Sequence, residues 1–249
     1  MNETITNIVN NAIEQWEAAG DEYNLPCLKN AESLFLLAIQ KSPEPYSRLY
    51  ALLSMVYYDM GLSYINNNGR NAEKFMKKSY NSATLYANKA LDLNKFEFRA
   101  QLIKTYISAD NLKYLNGGLS NLVPQSGGGI LDSFFEFTGR AVGTGIAATQ
   151  VSLSKANFKN ELNNLLTLFN SKKAEYYIEF SEYYFMAERF FIIADFCHEN
   201  NLFGKNEIFK ALSEVKEQDI DFEDISDDSK EEALSELNRI TLLSQARCC

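Results

Sequence analysis

One spacing of bulky and small residues occurs twice near the start of the chain, and it constrains the fold more than any other feature. Trp16, Gly20 and Tyr23 carry it first, followed by Ala31, Phe35, Ala38 and Pro43. Tyr57, Gly61 and Tyr64 repeat it, followed by Ala83, Ala87 and Ala90. Separations of three and four return to one face of an α-helix. A small residue on that face lets a second helix approach, and the bulky neighbours fill the space around it. The pattern therefore predicts closely crossing helix pairs, with Gly20 and Gly61 at the crossings.

The rest of the chain agrees with helices. Ile5, Ile8, Val9, Ala12, Ile13 and Trp16 recur at helical spacing and predict a helix over 3–19. Pro26 marks a turn, a second helix runs from about 27 to 41, and Pro43 and Pro45 stop it. Further helices are expected over 46–66, 71–93 and 96–115, with Asn66, Asn67, Asn68 and Gly69 forming a turn. Residues 130–153, 157–170, 172–199 and 205–217 continue the series, and a last helix begins at Ser229, capped through Glu232. No stretch alternates long enough to argue a sheet. The expected order is helical hairpins over 1–115, a Gly-rich linker over 116–129, a helical region over 130–217, an acidic linker over 218–228 and a helix over 229–247.

The two patterned stretches resemble tetratricopeptide repeats, units of about 34 residues built from two antiparallel helices. The resemblance covers about 16–95. It implies an all-α fold of TPR-like hairpins in an α-α superhelix, continued by additional C-terminal helices. The second copy departs from the family: about ten extra residues separate its halves, and Lys95 replaces the terminal proline. Both its helices are therefore expected to be longer. The family mostly holds peptides or partner helices in a concave groove, and the resemblance implies the same here. Glu17, Tyr57, Tyr58 and Tyr64 are the candidate lining residues. The lysine and asparagine clamp that some members use on a C-terminal carboxylate is missing: its places hold Glu17, Asp21, Tyr58 and Leu62.

Charge narrows the partner classes. The net charge is −9, and residues 214–236 hold eleven acids against Lys216 and Lys230, so the remainder is close to neutral. No basic patch is visible, and nucleic acid is not an expected partner. The four cysteines lack metal-site spacing, and His198 is the one histidine. A reduced, cytoplasmic protein is expected, with no cofactor.

Several local motifs have bland readings. Ser126 to Gly129 lacks the lysine and the preceding strand of a phosphate loop and reads as a linker. Gly143, Gly145 and Ala148 match a dinucleotide fingerprint without the strand it needs. Gly139, Gly143 and Ala147 read instead as a close-packing helix face. Asp219, Asp221, Glu223 and Asp224 lack the glycine of a calcium loop. Cys248 and Cys249 have the ending of a prenylated protein without its polybasic stretch. Cys197 and His198 are sequence neighbours and do not face each other on a helix.

A non-catalytic scaffold that binds a protein or peptide is the leading expectation. A self-associating or membrane-peripheral protein, acting through the small-residue helix 130–153, is the alternative. A small-ligand binder or enzyme built on the aromatic stretch 176–196 is the third reading. Its nine aromatics are Tyr176, Tyr177, Phe180, Tyr183, Tyr184, Phe185, Phe190, Phe191 and Phe196.

Overall fold

A computed structural model of the chain describes residues 3–20, 22–67, 71–117, 145–175, 178–221 and 227–247. They are all-α in class. The helices are α1 (Glu3–Glu17), α2 (Leu25–Lys41), α3 (Ser47–Asn66), α4 (Ala72–Leu93), α5 (Phe98–Gly117), α6 (Gly145–Glu175), α7 (Phe180–Glu199), α8 (Lys205–Ser213) and α9 (Asp227–Arg247). One two-residue parallel pairing joins β1 (Ile178–Glu179) to β2 (Ile220–Asp221). Two compact units emerge, Met1–Glu161 and Leu162–Cys249, so α6 contributes to both. The first unit holds fifteen basic and fifteen acidic residues, the second nine basic and eighteen acidic. The whole net charge therefore belongs to the second.

In the first unit the apolar periodicity becomes buried stripes: Ile5, Val9 and Ala12 on α1, Leu28, Ala31, Phe35 and Ala38 on α2, and Ala83, Ala87 and Ala90 on α4. The alanines allow a close approach: Ala87 and Ala90 meet Ala51 of α3 and Ala100 of α5 in one cluster. Pro26 does not end a helix. It sits in the first turn of α2, where its missing N–H costs nothing, and the Asn24 side chain accepts the Cys27 N–H at 3.3 Å. At the other end, Ser42 leaves helical geometry with its N–H still bonded to the Ala38 carbonyl, and Pro43 follows.

Directions follow from the contacts. Tyr50 and Tyr57 stack on Tyr86, Tyr58 on Tyr80 and Tyr64 on Phe75, so residue numbers rise along α3 as they fall along α4. These two helices form an antiparallel hairpin. Tyr80 bonds Asp110 and Lys77 covers the Tyr114 ring, which makes α4 and α5 antiparallel as well. Between α3 and α5 the offset stays nearly constant, 50 for Ser47–Glu97 and 52 for Tyr58–Asp110, so these helices run the same way. On the other side, Trp16 Nε1 donates to Asp59 at 2.6 Å and ties α1 to α3.

The ten extra residues of the second copy lengthen its helices, as expected. The helices α3 and α4 have 20 and 22 residues against 15 and 17 in α1 and α2. The two pattern glycines differ, however. Gly61 lies at a helix crossing: a Cβ there would strike the Tyr80 ring. Gly20 does not. It follows the end of α1 with φ +58° and has nothing within 4 Å of a built Cβ. Its role is to supply a left-handed turn. The expected helix over 3–19 accordingly stops at Glu17.

In the second unit, α7 packs on α8 and α8 on α9. Phe169 meets Phe190 edge-on at 5.1 Å, and Phe191 meets Phe209 at 5.6 Å. The helices expected over 157–170 and 172–199 divide elsewhere: α6 continues through residue 171 to Glu175. The last helix begins at Asp227, two residues before Ser229. Gly139, Gly143, Ser126 to Gly129, Glu223, Asp224, Cys248 and Cys249 lie outside the described residues, as does most of the helix expected over 130–153.

Candidate partner-binding surface

The four residues singled out for binding fall in three different places. Glu17 is exposed at the last position of α1, and its carbonyl accepts the Gly20 N–H at 3.0 Å. Tyr58 is in the interior, 6% exposed, stacked between Tyr80 at 5.4 Å and Tyr106 at 5.7 Å. An open groove has no access to it. Tyr57 and Tyr64 are partly exposed and belong together.

Their common feature is a seven-residue spacing that includes Tyr50. Seven residues is nearly two helical turns, so Tyr50, Tyr57 and Tyr64 share one side of α3. Each rests on an aromatic ring of α4. Tyr86 is held between Tyr50 at 6.3 Å and Tyr57 at 5.4 Å, with the Tyr57 ring only 3° from parallel. Tyr64 lies 5.1 Å from Phe75, itself 41% exposed. The exposed Lys89 ammonium stands 5.1 Å from the Tyr86 centroid and 5.9 Å from that of Tyr50. From α2, Glu32 accepts the Tyr57 hydroxyl at 2.6 Å. Burial, followed by that bond to an anion, pushes the Tyr57 phenol well above its ordinary range. The result is a partly exposed aromatic strip on the side of α3 between α2 and α4. Its floor is held at both edges by hydrogen bonding and stacking. Tyr50 and Tyr86 were not among the candidates, although the recurrence of Tyr50, Tyr57 and Tyr64 was a readable signal.

A second line of unburied residues, Arg48, Asp59, Leu62 and Asn66, runs on the opposite side of α3. It lacks a ring stack, and Asp59 already accepts the Trp16 indole.

A buried polar centre joins α3, α4 and α5 on another side of α3, about 100° of helix rotation from the strip. The Asp110 carboxylate accepts both the Tyr58 hydroxyl at 2.9 Å and the Tyr80 hydroxyl at 2.7 Å. Burial raises the Asp110 carboxyl above its usual range, while Lys113 and the two phenols pull the other way. Burial and the carboxylate also raise both phenols. Three helices thus meet on one acid. Its buried position makes it a packing element for α3, α4 and α5.

The side chains that offer chemistry elsewhere are separated. Cys197 is buried, and burial, with Glu207 nearby, pushes its thiol up to about 12. His198 beside it is exposed. Among the described residues no group of three His, Cys, Asp or Glu side chains is placed to hold a metal. Among the same residues no helix is long and apolar enough to cross a membrane.

No protein-family profile, curated protein or solved structure matches the chain.

Proposed function

We propose that α1 to α5 form a TPR-like scaffold that captures a peptide or helix without chemistry, and that the aromatic strip of α3 and α4 is the docking surface. The carrying observation is the strip itself: Tyr50, Tyr57 and Tyr64 are partly exposed, evenly spaced and backed by Tyr86 and Phe75. Rigid aromatic side chains offer large contact area and lose little freedom on binding. The antiparallel α3/α4 hairpin and the parallel course of α3 and α5 support a stack of hairpins of the TPR kind. A cytoplasmic location is part of the proposal, supported by the small number of cysteines, four in 249 residues.

The test is comparative affinity capture from native lysate. Wild-type protein is set beside a Tyr50→Ser/Tyr64→Ser variant and beside Leu62→Ser on the opposite side of α3. Specific proteins should be lost with the tyrosine variant and retained with Leu62→Ser. Identical recovery with the wild type and the tyrosine variant would sink the proposal.

A further inference from the structure

The strip's period and its charged rim together indicate what occupies it. We infer that it takes an acidic amphipathic helix. This rests on the docking reading above and adds the conformation and charge of the partner.

Conformation follows from spacing. Tyrosines seven residues apart on a helix recur about every 10.5 Å, so three of them span about 21 Å. A partner helix presents apolar anchors at the same heptad period and stays in step along the whole strip. A polyproline chain repeats every third residue, about 9.3 Å, and slips by about 2.4 Å over the same span. The helix is the better match.

Charge follows from the rim. Lys78 and Lys89 stand exposed on α4, on either side of Ser82 and within one helical face of Phe75 and Tyr86. Lys29 stands exposed on α2, one turn before Glu32. Two acids stand near these lysines: Glu32, whose carboxylate already receives the Tyr57 hydroxyl, and Asp92, exposed one turn beyond Lys89 at the C-terminal end of α4. On α4, Glu73 is held by Lys77 away from the strip. Leu36, one turn beyond Glu32, adds apolar surface at 37% exposure. An apolar floor with a cationic rim is complementary to a helix whose apolar stripe is flanked by carboxylates.

Three synthetic peptides of equal length, read by fluorescence anisotropy against the full chain, test this. One is a helix with leucines at heptad positions and glutamates beside them. The second replaces each glutamate with lysine. The third carries the same negative charge on a proline-rich backbone. The acidic helix should bind at least about ten-fold more tightly than either other peptide, and more weakly as salt rises. Lys78→Glu with Lys89→Glu, with folding checked by circular dichroism, should weaken the acidic helix by about ten-fold or more and strengthen the basic one.

Preference for the basic helix or the proline-rich peptide overturns the inference, as does undiminished binding of the acidic helix to the lysine variant. The docking strip itself survives those outcomes where Tyr50→Ser/Tyr64→Ser abolishes the binding that is seen. Sedimentation showing that the strip is closed by a second copy, with Tyr64→Ser restoring monomers, also overturns it. No peptide binding together with unchanged lysate capture removes both readings.

Discussion

The Tyr80 ring lies against the bare backbone of Gly61, in the space that a Cβ would occupy. The same ring stacks on Tyr58 and carries the hydroxyl that reaches Asp110. A methyl group at 61 must therefore displace the ring that joins three helices. Gly61→Ala is expected to cost about 1–3 kcal/mol despite alanine's better helix propensity. Gly20→Ala meets no atom but holds alanine at positive φ, at a cost of about 1–2 kcal/mol, and Gly20→Asn should recover part of it. Urea unfolding of the three variants checks both glycine roles. A neutral Gly61→Ala would remove the close crossing.

Asp110 sets a pH dependence whose sign is opposite to that of a surface ion-paired acid. Its folded-state pKa is raised by burial, so the carboxyl binds its proton more tightly when folded. Its contribution to stability is fully present below the unfolded carboxylate pKa and is lost as pH rises through the folded value. The stability of wild type relative to Asp110→Asn should therefore fall as pH rises from about 4 toward neutral. Tyr80→Phe removes one bond to the ionised form, pushing the acid higher and moving the fall to higher pH. Urea titrations across that range measure it. A difference that grows with pH would contradict the assignment.

Ser244 offers a stabilising substitution. It is fully buried in α9, and its Oγ has no hydrogen-bond partner among the described residues. A buried hydroxyl left unbonded is destabilising, and alanine suits a helix better. Ser244→Ala is expected to gain about 1 kcal/mol. A raised melting temperature is the readout, and a lowered one would show that the hydroxyl has a role in packing.

Cys197 should resist alkylation in the folded protein. It is buried, and its thiol sits near 12, so little thiolate forms at pH 8. Peptide mapping after iodoacetamide should find Cys197 unmodified until denaturant is added, while the half-buried Cys27 reacts earlier. Equal rates at the two positions would contradict the buried placement.

Most helices were legible because apolar periodicity and proline stops are local signals. Leu28, Ala31, Phe35 and Ala38 announce the buried face of α2 without reference to the rest of the chain. The two pattern glycines show the limit of such reading. Sequence records that Gly20 and Gly61 lack side chains. It does not record whether backbone angle or a neighbour's ring demands it. Among the binding candidates, the interior placement of Tyr58 shows a related limit. Tyr57 and Tyr58 are adjacent, yet about 100° of helix rotation sends one to the strip and the other to the interior. Which direction is exposed depends on α2, α4 and α5. The pairing of Tyr58 and Tyr80 with Asp110, 52 and 30 residues away, leaves no spacing signal at all. The β1–β2 pairing is similarly non-local.

The antiparallel and parallel registers of the first unit bear on how it forms. Among the described residues, side-chain hydrogen bonds between its helices join positions such as Gln15 and Asn30, 15 apart, and Gln101 and Glu161, 60 apart. The α3/α4 ring stacks are more local, Tyr64 on Phe75 and Tyr58 on Tyr80, and local contacts favour rapid folding. The α3/α4 hairpin, held by its own ring stacks, can close first and serve as the template on which α2 and α5 condense from either side. The tyrosines that form the strip would then be among the earliest ordered side chains of the chain.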